Sequence, residues 1–255
     1  MKKCVMNSVG VVLSSIFFFL ISCASTGRKQ SELGDAEYYN NWGIAYEMRG
    51  QYDQAIADFT NALEINPKYV DAYINRGIAH ANKGEYDQAI SDYTKALEID
   101  PKEGDASHNR GIAYGNKGQY DLAIADFSKS LEIKPASAYN HYDRGVAYAN
   151  KGLYDEAISD YTKALEINPK YVDAYINRGV AHENKGEYDQ AISDYTKALE
   201  IDPKGKDAYY NRGVAYYFKR AYDKSWENIE KAQELGYPIP PDFLDKLQKA
   251  SGRGK

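Results

Sequence analysis

From Ala36 onward, apolar and small residues return at helical spacing in pairs of short stretches. In one such pair Tyr73, Gly77, Ile78 and His80 share a face of the first stretch, and Ala89, Ile90, Tyr93, Ala96 and Leu97 share a face of the second. A period near 3.6 residues predicts two amphipathic helices. Between them lies Lys83-Gly84-Glu85-Tyr86-Asp87. Gly84 breaks the first helix, and Asp87 is placed to accept from or attract the free amides that open the second. Asn66-Pro67 and Asp100-Pro101 end the second helices, because proline lacks the donor and disfavours helix in the residue before it.

The pair recurs six times between Ala36 and Ile239, with a step of 34 residues. Gly43, Gly77, Gly111, Gly145, Gly179 and Gly213 keep the step, as do Ala55, Ala89, Ala123, Ala157 and Ala191; only Ser225 breaks the second series. Pro67, Pro101, Pro135, Pro169 and Pro203 follow it too. Glycine inside a helix costs about 1 kcal/mol relative to alanine unless the missing side chain is needed, and here it predicts a close crossing of the paired helices. An array of such pairs needs no single core, since each pair buries its stripe against its neighbours and only the ends need covering. Pro240-Pro241-Asp242 opens a last predicted helix, Phe243 to Ala250, whose Phe243, Leu244 and Leu247 can cover the sixth copy against Trp226. Residues 240–255 are therefore read as a capping helix with a polar tail, Ser251 to Lys255.

This pattern resembles the tetratricopeptide repeat, with copies at 36–69, 70–103, 104–137, 138–171, 172–205 and 206–239. The resemblance implies an all-α fold, a right-handed α-solenoid of six helix-turn-helix repeats. One departure is systematic. The leucine that the family places before the first glycine is Arg76, Arg110, Arg144, Arg178 and Arg212 here, with Trp42 in the first copy. Asp92, Asp126, Asp160 and Asp194 stand at one fixed place on the second helices. An Arg–Asp tie between packed helices is expected, with a structural role.

The resemblance also implies where a partner would bind: on a concave face made by the first helices, which in such arrays holds extended peptides or partner helices. Asn41, Asn75, Asn109, Asn177 and Asn211 share one position on those helices, and Asp143 interrupts the row. A carboxamide both donates and accepts, so such a ladder can hold a peptide backbone without reading its side chains. The alternative is that asparagine is ordinary repeat consensus there. A second row, Asn82, Asn116, Asn150 and Asn184, ends at Phe218. The sixth copy also carries Tyr209, Tyr210, Tyr216 and Tyr217, so Tyr210, Tyr217 and Phe218 are candidate anchors for a partner, with core packing beside the cap helix as the alternative. The family's clamp for an acidic C-terminus needs cations on this face; Asp71, Asp105, Asp173 and Asp207 occupy one of its lysine positions, and that activity is not carried over.

Catalytic chemistry finds no constellation of complementary groups. His80 and His182 occupy a repeat position that elsewhere holds Tyr46, Tyr114, Tyr148 and Tyr216, which marks them as packing residues. His108 and His141 are one-off substitutions without partners in the pattern. There is no metal-binding His-Glu-x-x-His, no phosphate-binding glycine loop and no nucleophile elbow, so no catalytic residue, metal, cofactor or small-molecule substrate is expected.

Residues 1–22 read differently. Lys2 and Lys3 precede an apolar stretch from Val9 to Ile21, too short to span a bilayer and suited to a secretory signal. Leu20-Ile21-Ser22-Cys23 resembles the bacterial lipobox, which implies cleavage before Cys23 and lipid on that cysteine, palmitate included. Multiple acyl chains give stable anchoring. Cys4 leaves with the signal, so the exported part holds no free thiol. Ala24 after the cysteine, in place of an aspartate, favours the outer membrane in a Gram-negative source. Ala24 to Asp35 is a short polar tether that can reach roughly 40 Å.

The chain carries a net charge of -5, with lysines such as Lys83, Lys117, Lys151 and Lys185 spread once per copy as a solvated outer face. Nucleic acid, which requires a clustered basic face, is excluded as a partner. Residues 62–102 and 164–204 differ only at Ile78 versus Val180 and Ala81 versus Glu183, the mark of a recent duplication of repeat units. Together these features predict an envelope-anchored, non-enzymatic scaffold that binds envelope proteins or extended peptide segments. Two other readings stay open at this point. One is a glycan-binding accessory subunit stacking sugars on Tyr142, Tyr210 or Tyr217; the other is a lipoprotein that self-associates through its repeat faces.

Overall fold

The computed structural model of the chain describes residues 36–253. The signal segment, Cys23 and the tether lie outside the described residues. Thirteen helices and no strand are present among the described residues: α1 Ala36–Glu47, α2 Tyr52–Ile65, α3 Val70–Asn82, α4 Tyr86–Ile99, α5 Gly104–Asn116, α6 Tyr120–Ile133, α7 Ala138–Asn150, α8 Tyr154–Ile167, α9 Val172–Asn184, α10 Tyr188–Ile201, α11 Lys206–Phe218, α12 Tyr222–Glu234 and α13 Pro241–Ser251. None is long and apolar enough to cross a membrane. The chain divides between Lys134 and Pro135 into two compact units. The first contains three helix pairs, α1/α2, α3/α4 and α5/α6. The second contains α7/α8, α9/α10 and α11/α12, followed by α13.

Glycine spacing predicts the close crossing, and the crossing is there. A methyl group on Gly77 would stand 2.6 Å from the ring of Tyr93, and one on Gly213 would stand 2.8 Å from Ile229. On the second helices Ala89, Ala123, Ala157 and Ala191 are fully buried. Where Ser225 replaces the alanine, its hydroxyl donates to the Gly213 carbonyl at 2.7 Å, so the extra oxygen is satisfied without moving the helices apart. Gly84 ends α3 in a left-handed turn, φ +80°, as the Lys-Gly step predicts. The second helices stop at Ile65, Ile99, Ile133, Ile167 and Ile201, two residues before each proline. The expected capping by Asp87 is corrected: α4 has no side-chain cap, and Asp87, in its first turn, pairs with Lys117 of the following repeat.

The repeated lysines are likewise more than a solvated face. Lys83 reaches Asp53 at 2.8 Å, Lys185 reaches Asp155 at 2.6 Å, and Lys219 pairs with Asp189, each a bridge from one turn to the repeat before it. Solvent surrounds these pairs, so each adds little to stability.

The Arg–Asp ties form as expected, and they reach further. Arg110 donates from Nε and Nη2 to both oxygens of Asp126 at 2.7 Å, and from Nη1 to the hydroxyl of Thr94 at 3.0 Å. One guanidinium thus joins α5 to its own partner α6 and to α4 of the repeat before. Arg76 does the same with Asp92 and Thr60, and Arg178 with Asp194 and Thr162. Arg144 forks onto Asp160. In the last repeat Arg212 keeps the hydroxyl of Thr196 but finds Asn228 where the carboxylate stands elsewhere. His141, unpartnered in the sequence pattern, is buried beside this tie: Nδ1 lies 3.1 Å from Asp160 Oδ1 and Nε2 lies 3.2 Å from the Pro135 carbonyl. It is a structural residue that fastens the turn before α7 to the Arg144–Asp160 pair.

The cap behaves as its sequence predicts. Leu247 of α13 is fully buried among Tyr210, Val214, Ile229 and Ala232, with Phe243, Leu244 and Trp226 packed around them. Trp226 also donates from its indole nitrogen to the Ser251 hydroxyl at 3.0 Å.

Candidate binding face

Adjacent first helices touch through side chains one repeat and one residue apart. In the first unit Asn75 Nδ2 donates to Asn40 Oδ1 at 3.0 Å, and Asn82 Nδ2 donates to Glu47 Oε1 at 3.3 Å. In the second unit Asn177 Nδ2 donates to the Tyr142 hydroxyl at 2.7 Å. Each unit therefore carries a continuous surface on its first helices, and both asparagine rows lie on it. The Arg ties lie between these helices and the second helices, and so fix which face is presented.

The members of the row differ in exposure. Asn41 is exposed, Asn75, Asn109 and Asn177 are half-buried, and Asn211 is buried at 7 %. Asp143, which breaks the row in sequence, is buried at 5 %, and burial pushes its carboxyl up to about 8. At neutral pH it is mostly protonated, and a protonated carboxyl both donates, through one O–H, and accepts, as a carboxamide does with its two N–H donors and one carbonyl. The interruption is one of residue name more than of hydrogen-bonding chemistry. The sequence missed Asn40 and Tyr142, which stand one residue before the row and accept from it one repeat later. The signal for them was their polarity at a position that holds Ile74 and Ile176 in the duplicated copies.

The aromatic candidates separate. Tyr210 is corrected: it is 7 % exposed, stacked on Tyr237 at 4.4 Å and edge-on to Phe243 at 5.9 Å, so it belongs to the core under α13. Tyr217 is half-buried against Phe243 and Tyr222. Phe218 remains 53 % exposed and stacks flat on Tyr188 at 5.2 Å. Tyr142 is buried as well, at 6 %. With Tyr142 and Tyr210 both inside, sugar stacking loses two of its three expected platforms.

Two other carboxylates bear on this face. Glu47, at the end of α1, is pushed up to about 7 by burial. Asp173 is raised by burial first and by Asp207 second. Asp105, at the repeat position of Asp173, pairs with Lys134 at 2.6 Å. His108, half-buried in α5, is driven down to about 4 by desolvation and is neutral at pH 7. No group of three or more potential metal ligands occurs among the described residues.

The family model for the tetratricopeptide repeat matches residues 36–69, 70–103, 104–137, 138–171 and 172–204. The chain belongs to the tetratricopeptide repeat (TPR) family. The sixth pair, α11/α12, has the same helix-turn-helix form outside the matched range. Among solved structures, the chain is similar to YrrB, described as a TPR protein with an unusual peptide-binding site, at 28 % identity over 77 % of this chain and 98 % of that one, TM-score 0.62. It is similar to MamA at 28 % identity over 64 % of this chain and 95 % of that one, TM-score 0.61. PilW, a type IV pilus biogenesis factor, shares the fold at 18 % identity over 86 % of this chain and 100 % of its own, TM-score 0.73. No curated protein matches the chain. TPR membership, with the similarity to YrrB and MamA, supports a protein–protein interaction scaffold.

Proposed function

We propose that this TPR chain is a non-enzymatic adaptor of a bacterial cell envelope, anchored by lipid on Cys23, whose first-helix faces take extended peptide segments of partner proteins. The observation that carries the binding half is the carboxamide row: Asn75 and Asn177, in two separate units, are each held by a bond to the first helix before them. A side chain so fixed loses little rotamer freedom when a peptide arrives. A TPR neighbour with a peptide-binding site supports the same reading. The anchoring half rests on Leu20-Ile21-Ser22-Cys23 and the polar tether after it. In a Gram-negative source Ala24 directs the protein to the outer membrane, where the tether lets the repeats meet proteins of the periplasm.

The test has two arms. Cys23→Ser is expected to abolish palmitate incorporation and release the chain from the membrane fraction; a variant that stays labelled and membrane-bound refutes the anchor. Cross-linking in the native envelope is then compared between wild type and Asn75→Ala/Asn109→Ala/Asn177→Ala/Asn211→Ala. Loss of specific protein partners at unchanged helical content is expected. Recovery of the same partners from both makes the row ordinary repeat consensus.

A further inference from the structure

The stripe that carries the asparagine row can be followed along every first helix, and its composition is lopsided. In the second repeat it runs through Asp71, Ile74, Asn75, Ile78, Ala81 and Asn82, and the same six places can be read off each copy. Across all six copies none of these places holds a lysine or arginine. Acids do appear there: Asp71, Asp105, Asp173 and Asp207 at the first place, Glu47 and Glu183 at the fifth. Every arginine that precedes a helix-crossing glycine is turned to the Asp or Asn of the second helix, away from this stripe. The repeated lysines of the turns are directed to Asp53, Asp87, Asp155 and Asp189. Cations are abundant in the repeats, and apart from Lys134, which reaches Asp105 from the end of α6, those named here are placed elsewhere.

From this placement we infer that the peptide segment taken by the first-helix face is basic: an extended stretch carrying lysine or arginine, whose backbone meets the carboxamide row and whose cations meet the flanking carboxylates. The inference rests on the peptide-binding reading above and narrows its partner. Two further observations agree with it. Asp173 and Asp207 stand close enough on adjacent first helices for one to raise the other, so a cation between them relieves a repulsion. Glu47, half-buried and accepting from the Asn82 amide at 3.3 Å, ionises more readily beside a bound ammonium or guanidinium. An acidic segment would meet the opposite conditions, because it would bring like charge up to these carboxylates.

The experiment uses the full chain in a neutral detergent and three labelled peptides of one length: a Gly-Ser parent, a version with alternate lysines and a version with alternate glutamates. Fluorescence anisotropy at low and physiological salt reads the affinities. The lysine peptide is expected to bind at least about tenfold tighter than the parent, the glutamate peptide more weakly than the parent, and the gap to narrow with salt. In Asp71→Asn/Asp105→Asn/Asp173→Asn/Asp207→Asn the lysine preference should collapse. In Glu64→Gln/Glu98→Gln/Glu132→Gln/Glu166→Gln, which removes the same charge from exposed places on the second helices, it should persist. Equal loss in both variants, or a glutamate peptide that binds as well as the lysine one, overturns the inference. The alanine substitutions of the asparagine row separate the two layers. If they weaken all three peptides while lysine gains nothing over glutamate, the face binds peptides and only its charge preference is refuted. If they weaken none, or no peptide binds, the peptide-binding reading fails and the charge preference with it.

Discussion

Arg110 is held by acceptors on two other helices, and its loss strands both. Asp126 is 8 % exposed at its side chain and would keep a carboxylate without its guanidinium, while the Thr94 hydroxyl would lose its donor. Removing one member of a buried ion pair costs about 3–5 kcal/mol, and partial exposure of the arginine lowers this toward about 2–4. Arg110→Ala should therefore shift the urea midpoint far more than Lys117→Ala, whose pair with the exposed Asp87 is worth less than about 1 kcal/mol. Equal shifts would show that the forked tie is no stronger than a surface bridge. Glu47 gives a test in pH. Its folded carboxyl is raised from 4.5 to about 7, so folding holds the proton more tightly than the unfolded chain does. The resulting penalty is absent below about pH 4.5, grows as pH rises and is complete above pH 7. Glu47→Gln keeps an acceptor for Asn82 and removes the charge. Its stability should match wild type near pH 4 and exceed it by about 1 kcal/mol at pH 8, once the group's partial solvation is allowed for. A difference of the same size at both pH values would mean that the charge is not its cause.

At the scale of the element, two glycines of one helix pair do opposite jobs. Gly77 lies inside α3, where alanine would ordinarily gain about 1 kcal/mol of helix propensity. The added methyl would stand 2.6 Å from the ring of Tyr93, which is itself 1 % exposed and has little room to yield. Overpacking of this kind costs about 1–3 kcal/mol, so Gly77→Ala should lower the melting temperature in spite of its propensity. Gly84 meets nothing within 4 Å, and only its positive φ matters; Gly84→Asn should be nearly neutral, since asparagine tolerates that conformation. A neutral Gly77→Ala would mean that α3 can step back from α4. These pairs were legible from sequence because period, glycine and proline all act locally. What was not legible needed the neighbouring repeat. The third leg of each tie, the hydroxyl of Thr60, Thr94, Thr162 or Thr196, recurs every 34 residues, but its donor comes from 16 residues further along the chain. Asp87 differs from its local reading for the same reason: its place in the first turn predicts a cap, and a lysine 30 residues away takes the carboxylate. For Tyr210 the sequence leaves anchor and core both open, and the packing of Tyr237 and Phe243 makes it core.

At the scale of the whole molecule, the duplicated segments fall alike in both units: 70–103 is the middle repeat of the first and 172–205 the middle repeat of the second. The same sequence gives the same local geometry, with His80 and His182 each 2.6 Å from Glu85 and Glu187. Apart from Ile78 versus Val180 and Ala81 versus Glu183, differences between the units therefore reside in the outer repeats and at the ends. The two ends are finished differently. At α1, Tyr38, Trp42 and Met48 remain exposed, at 39 %, 41 % and 55 %, and Trp42 stands where later repeats hold the tie arginine. At the other end α13 buries Leu247 completely against α11 and α12. In an array where each repeat is stabilised by its neighbours, an end repeat has one neighbour and depends on its cap. Leu247→Ala removes about 2–5 kcal/mol of packing from that cap. Because coupling runs from neighbour to neighbour, the loss should fall first on Lys206–Glu234 and reach α3 and α4 weakly. Hydrogen exchange by mass spectrometry should show amides of α11 and α12 exchanging markedly faster in Leu247→Ala, while those of α3 and α4 keep wild-type protection. Uniform acceleration along the chain would instead make the protein one cooperative block, with α13 part of a shared core and no longer a local cap.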